Sequence, residues 1–207
     1  MALTRLGLNQ SINLATNTTG TLGVANGGTG LASGTADQFL KFTGSTTLAS
    51  AAAGGITGID TWGLSSTVSH SSGVVTISSN WTRRTTHSSS NLGTAMSEAS
   101  GVFTFPSTGH WLILGGLYFD GNASTHYRGI IIRNGDGTGL SQLFAHGGGS
   151  NPNWDHSALT VHFTMDVTDT SANTNKIYFQ TNSGATCTVA GGSNGQSYVS
   201  FIRLGDT

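Results

Sequence analysis

Residues 159–167 read Leu-Thr-Val-His-Phe-Thr-Met-Asp-Val. Leu159, Val161, Phe163, Met165 and Val167 keep a strict period of two against Thr160, His162, Thr164 and Asp166. Successive side chains of a strand point to opposite faces, so this pattern is a half-buried β-strand. The same logic extends both ways along the chain. Val75 and Ile77 alternate with Val74, Thr76 and Ser78, and Val102-Phe-Thr-Phe ends at Pro106. Trp111 to Phe119 is a longer apolar run interrupted by Gly115-Gly116, and Tyr127 to Arg133 holds Ile130, Ile131 and Ile132. Ile177 and Phe179 repeat the alternation, and in the closing stretch Tyr198 to Leu204, Val199 and Phe201 oppose Tyr198, Ser200 and Ile202. Between the runs lie Asn134-Gly-Asp-Gly, Gly147-Gly-Gly-Ser-Asn-Pro and Gly191-Gly-Ser-Asn-Gly, whose glycines and asparagines supply turn conformations. Many short strands separated by such turns predict an antiparallel sandwich.

Composition supports an all-β chain. Among 207 residues there are 31 glycines, 2 prolines, 1 cysteine and 8% charged residues, against about 25% charged in an average domain. Good helix formers at a 3.6 period are almost absent; the Ala-rich patch Ala49 to Ala53 predicts at most one or two helical turns before Gly54-Gly55. A net charge of -1 offers no basic excess to neutralise a phosphate backbone, so nucleic acid is not an expected partner. One thiol makes neither an intrachain disulfide nor a multi-cysteine metal site. No stretch resembles a secretory signal or approaches the ~20 apolar residues of a membrane span, which predicts synthesis in a cytoplasm and no membrane insertion.

The organisation divides near residue 66. Residues 1–66 scatter single Leu, Val and Phe residues among Gly, Thr, Ser and Asn. Such a segment buries too little apolar surface to offset chain entropy alone, so sister chains or a larger assembly are expected to order it. Residues 67–207 carry the alternating strands.

Two stretches resemble known families. Thr18-Thr-Gly-Thr-Leu-Gly-Val-Ala-Asn-Gly-Gly-Thr-Gly (18–30) resembles the "TGTLPVANGGTG" element of tailed-bacteriophage tail fibres and related virion proteins, with Gly23 where proline is usual. Asp37-Gln-Phe-Leu-Lys-Phe-Thr-Gly is similar to their "GQFLKSDGT" continuation. Gly101-Val-Phe-Thr-Phe-Pro-Ser-Thr-Gly-His-Trp resembles the "G-x-F-T-x-P-x-x-G-x-Y" signature of C1q/TNF-like jelly rolls, with Trp111 for tyrosine. Ile130-Ile-Ile-Arg-Asn-Gly, Phe163-Thr-Met-Asp-Val-Thr-Asp, Lys176-Ile-Tyr-Phe-Gln and Ser197-Tyr-Val-Ser-Phe-Ile-Arg-Leu resemble that family's later strands in order. The resemblance implies a C-terminal jelly-roll knob that assembles as a homotrimer, behind an extended N-terminal virion-attachment segment. Leu22, Val24, Asn26, Gly27 and Gly28 are then the attachment and neck residues. Tyr198, Phe201 and Ile202, in a closing strand with few charges, are the expected trimer contacts, because unprotected sheet edges need burial and closed rotational symmetry is its common form.

Few sequence motifs carry chemistry. The seven histidines form neither an H-E-x-x-H nor an H-x-H pattern; a threefold histidine site and scattered strand histidines are the alternatives. Glu98 is the only glutamate and the natural acid of a carboxylate pair, with a solvated residue as the plain alternative. Asn134-Gly-Asp-Gly-Thr-Gly lacks the closing glutamate of a calcium loop, which leaves a hairpin turn, with Asp136 and the pair Asp166/Asp169 as residual calcium candidates. No nucleophile elbow or phosphate loop occurs, and Cys187 sits in a strand-like context as an inert thiol. No cofactor and no metal are expected. The recognition candidate is the loop Gly147 to His156, which sets Trp154 beside Asn151, Asn153, Asp155 and His156, with Tyr127 and His126 in the preceding loop. An aromatic face stacks on a sugar ring while amides and carboxylates read its hydroxyls; the alternative is Trp154 folded over the sandwich end. The predicted protein is a non-enzymatic, trimeric virion fibre of a tailed bacteriophage, binding a host-surface glycan or protein receptor through its knob. The alternative is a capsid decoration or head-fibre protein.

Overall fold

The computed structural model describes residues 28–29, 31, 34–45, 47–51, 54–85, 91–120, 127–136, 142–149, 156–192 and 196–206. Leu22, Val24, Asn26 and Gly27 lie outside the described residues, as do Asn151, Asn153, Trp154 and Asp155. The chain divides into two units, Met1–Gly54 and Gly55–Thr207.

In the first unit β1 (Phe39–Gly44) and β2 (Thr47–Ala51) form an antiparallel hairpin. The Ala-rich patch predicted as helical turns is therefore extended through Ala51: cross-strand pairing with Phe39 and Lys41 overrides the helical preference of alanine.

The second unit is a two-sheet antiparallel sandwich. One sheet runs β11 (Gln142–Gly149), β10 (Tyr127–Asn134), β13 (Lys176–Ser183), β8 (Val102–Thr104), β7 (Ser97–Ala99), with β5 (Gly73–Thr76) also paired to β13. The other runs β4 (Val68–His70), β14 (Cys187–Val189), β9 (Gly109–Asp120), β15 (Tyr198–Gly205), β3 (Gly58–Leu64), β6 (Trp81–Arg83), with β12 (His156–Val167) on the free side of β9. The chain crosses between the sheets from β9 to β10, back from β11 to β12, over again to β13 and back to β14. Repeated crossing of this kind is a jelly roll.

β12 matches its pattern. Leu159, Val161, Met165 and Val167 are buried, while His156, Thr160, His162, Thr164 and Asp166 are exposed. Each such apolar side chain contributes roughly 1.5–3 kcal/mol on burial. The strand pairs with β9 along its whole length, from His156–Asp120 to Val167–Gly109. β9 runs unbroken through Gly115-Gly116 because β15 approaches there: a Cβ on Gly115 would lie 2.5 Å from the carbonyl oxygen of Tyr198.

The core joins the sheets through aromatic rings. Phe103 lies edge-on to Trp62 at 5.5 Å and to Trp81 at 5.4 Å, and meets Phe201 at 5.0 Å and Phe179 at 5.7 Å. Phe105 continues the cluster to Trp111 at 5.2 Å.

Three expectations change. The boundary after residue 66 falls too late, because β3 is an interior strand paired with β15 and β6. Its buried face opens with Gly58 and Asp60, a glycine and a charge that hide the alternation of Trp62 and Leu64. Phe201 is not a trimer contact: it is fully buried within the single chain, and β15 is no edge strand, being paired to β9 on one side and β3 on the other. Gly147, Gly148 and Gly149 are not loop residues but the end of β11, opposite Gly129, Arg128 and Tyr127, where glycine leaves the ladder intact.

Candidate functional site

The register brings two surfaces together. The first is the sandwich end where β9 finishes at Asp120, β10 begins at Tyr127, β11 finishes at Gly149 and β12 begins at His156. His156 stands opposite Asp120, with Nδ1 3.2 Å from Oδ1, and its ring stacks on Tyr118 at 5.5 Å and 26°. Both members of the pair are half-exposed. Tyr127, predicted in a loop, is the exposed first residue of β10. Beside it Arg128 is buried, donating from Nη1 to the Ser157 hydroxyl at 3.3 Å. An exposed aromatic ring, an imidazole and a carboxylate thus share this end, the set of groups that reads a hydroxylated ligand. Of the predicted recognition set, the described residues place His156 and Tyr127 here. Tyr118 and Asp120, which complete the cluster, came from pairing across strands that no local pattern shows.

The second surface is the outward face of the sheet β12-β9-β15-β3. Thr164, Leu112, Ile202 and Ile59 lie side by side across the four strands. The next row is His162, Leu114, Ser200 and Thr61, with the Ser200 and Thr61 hydroxyls 2.8 Å apart. Thr160, Gly116, Tyr198 and Gly63 follow. The ionisable side chains lie at the margins: His156 with Asp120 at one end, His110 with Asp166 at 4.0 Å at the other, His162 on the edge strand β12, and Arg84 lying against Gly63. Tyr198 and Ile202 belong to this face as predicted residues of the closing strand; Ile59, Leu112 and Leu114 were missed. Their signal was present, since Trp111 to Phe119 is apolar at both parities, which a strand covered on one face does not require.

The other candidates take structural roles. Glu98 Oε1 accepts the Gly101 N–H at 2.6 Å and closes the β7–β8 turn. There Ser100 and Gly101 have φ of 53° and 83°, and a Cβ on Gly101 would lie 2.3 Å from the Ile77 carbonyl oxygen. Asp166 faces His110. Asp169 is in the turn after β12, where the Ser171 hydroxyl and then the Ser171 N–H hold its carboxyl below the ordinary aspartate range. Asp136 accepts from Asn173 at 2.9 Å. Among the described residues no group of three or more His, Cys, Asp or Glu side chains is placed to hold a metal ion. Cys187 is buried opposite buried His70. Gly28 is half-buried and outside any strand. A cleft of about 320 Å³ is lined by Ser65, Thr82, Arg83 and Arg84. Its guanidinium groups are engaged: Arg83 by Asp60 at 3.0 Å, Arg84 by the Gly192 carbonyl at 3.0 Å. Among the described residues no helix is long and apolar enough to cross a membrane.

No protein-family model matches the sequence, and no curated protein matches it. Solved structures do. Murine APRIL at pH 5.0 superposes with a TM-score of 0.51 at 13% identity, over 71% of this chain and 98% of that one. Eiger TNF from S. frugiperda superposes with a TM-score of 0.51 at 11% identity, over 74% of this chain and 95% of that one. The second unit therefore has the jelly-roll fold of the TNF-like proteins.

Proposed function

We propose that this chain is a structural virion protein of a tailed bacteriophage: a homotrimeric fibre whose jelly-roll knob binds a host-surface receptor and whose N-terminal residues attach it to the virion. The observation that carries the assembly is the outward face of β12-β9-β15-β3. Leu112, Leu114, Ile59, Ile202, Tyr118 and Tyr198 line it with charge only at the rim. A face of apolar side chains and neutral hydroxyls with charge only at its rim suits an association surface, and a cyclic arrangement closes it. The virion assignment is supported by the resemblance of residues 18–30 to fibre proteins. Receptor binding is supported by the half-exposed His156 and Asp120 and the exposed Tyr127 at the sandwich end, groups that suit a glycan or a protein surface loop. The reading is of a binding protein rather than an enzyme, since Glu98 closes a turn.

Assembly is tested by sedimentation. The intact chain is expected at three times 21.2 kDa. Leu114→Asp is expected to sediment as a folded 21.2 kDa monomer, because each unpaired carboxylate buried in the seam costs several kcal/mol. A monomeric unmodified protein, or a Leu114→Asp variant that remains trimeric, sinks the threefold reading. Receptor binding is tested by adsorption competition. Saturating purified protein is expected to slow phage adsorption, and Trp154→Ala to abolish the effect with trimer mass unchanged. No slowing at saturation removes the receptor claim. Antibody-labelled virions under the electron microscope are expected to carry the label on the tail; label on the head alone replaces the fibre with a decoration protein.

A further inference from the structure

We propose that in the assembled protein the β1–β2 hairpins of three chains join edge to edge into one closed six-stranded sheet, with Leu40, Phe42 and Leu48 turned to its axis. The proposal rests on the threefold reading above and adds a second, separate assembly element to it.

The hairpin cannot stand alone. Phe39, Leu40 and Phe42 are 66%, 51% and 65% exposed, and every residue of β1 is exposed. An isolated two-stranded hairpin is marginal in water, and three or more strands with an apolar face are needed for stability. The register separates its faces. Leu40 lies opposite Ser50, whose hydroxyl accepts from the Thr35 N–H at 3.3 Å, and Phe42 lies opposite Leu48, so this face is uncharged and carries three large apolar side chains. Phe39 lies opposite Ala51 and Lys41 opposite Ala49 on the other. Lys41 is the one charged side chain in the two strands, so the Leu40/Phe42/Leu48 face is the one to bury.

Three features select sister hairpins as the occupant. β1 and β2 pair only with each other in the described residues, so each hairpin has two free lateral edges. A partner lying on one face leaves those edges open. A rotated copy offers its β2 edge to the β1 edge of its neighbour, and three copies close the ring and remove every edge. The chain also runs from β2 into β3, whose Ile59 lies in the apolar seam. Residues 52–57 span at most about 20 Å, which holds sister hairpins at an effective concentration in the millimolar range once the knobs assemble.

The test uses the full-length chain, with its mass verified by sedimentation. Amide hydrogen exchange across residues 39–51 is expected to be slowed on the order of 100-fold relative to the Leu40→Ser/Phe42→Ser double variant. In a Cys187→Ser background, Leu40→Cys is expected to resist alkylation by a water-soluble maleimide in the assembled protein, while Lys41→Cys reacts readily. Trimers of full mass whose hairpin amides exchange as fast as the double variant overturn the ring and leave the knob trimer standing. Leu40→Cys alkylating as fast as Lys41→Cys overturns the inward face. A particle of 21.2 kDa overturns the threefold reading itself.

Discussion

Phe103→Ala is expected to destabilise the sandwich by about 3–5 kcal/mol. Phe103 is fully buried on β8, and its ring touches Trp62 and Phe201 of one sheet and Phe179 of its own. Truncation removes the transfer free energy of the ring and leaves a void between strands that cannot close, because each is held by its ladder. It also removes edge-to-face contacts, each worth about 0.5–1.5 kcal/mol beyond burial. Whole-domain stabilities are about 5–15 kcal/mol, so the variant is expected to lose about 10 °C in Tm. Urea denaturation followed by tryptophan fluorescence measures it, since Trp62 and Trp81 lie against the void. Val74→Ser, at an exposed position of β5, is the comparison and is expected to change stability by less than about 0.5 kcal/mol. A loss below about 1 kcal/mol for Phe103→Ala contradicts its place at the centre of the core.

Asp60→Ala is expected to cost about the same, about 3–5 kcal/mol, for a different reason. Asp60 is 2% exposed on β3. Its carboxylate accepts from Arg83 Nε at 3.0 Å, from Trp62 Nε1 at 3.1 Å and from the Met96 N–H at 2.8 Å. Arg83 in turn donates to the Met96 carbonyl and lies 4.9 Å from the Trp62 ring centroid. Removing the carboxylate leaves a two-thirds-buried guanidinium without its counter-charge, and an indole and a backbone N–H without acceptors. Asp60→Asn keeps one acceptor oxygen and is expected to cost less. The ordering of the two variants separates loss of charge from loss of hydrogen bonding. Equal stabilities for Asp60→Ala and the unmodified protein contradict the network. Because the network ties β3 to β6 and to the segment before β7, its loss is expected to weaken the outward face on which Ile59 lies, visible, on the proposed threefold reading, as a lower trimer fraction at dilution.

Both variants probe parts of the fold that differ in legibility. Phe103 stands in an alternating run, Val102-Phe-Thr-Phe, and its burial follows from the period of two. Asp60 does not announce itself, because a carboxylate is buried only where partners from distant positions meet it, and Arg83 and Met96 are 23 and 36 residues away. The same difference explains the domain boundary placed after residue 66, since β3 reads as polar until Asp60 is seen to be satisfied. It also explains Phe201. Its alternation with Val199 marks it as core, and only the assumption that a closing strand lies at an edge turned it outward. At the sandwich end beside β9 and β12, His156 and Tyr127 stand out in the sequence as polar aromatics near glycines. Tyr118 and Asp120 do not, because they sit thirty-odd positions away from His156 in sequence and become neighbours through the β9–β12 ladder.

What the amino-acid sequence determined by itself was local: which stretches are strands, which side of each is apolar, and that the chain carries too little charge and too few helix formers for another class. Alternation is a property of neighbouring residues, and the side-chain geometry of a strand converts it directly into faces. What the tertiary structure alone decided was which faces meet. It placed β15 between β9 and β3 rather than at an edge, set Leu112, Leu114, Ile202 and Ile59 in adjoining rows, and left the hairpin of Phe39, Leu40 and Phe42 uncovered in a single chain. Pairing partners lie tens of residues apart, and their order depends on chain crossings that no local period encodes.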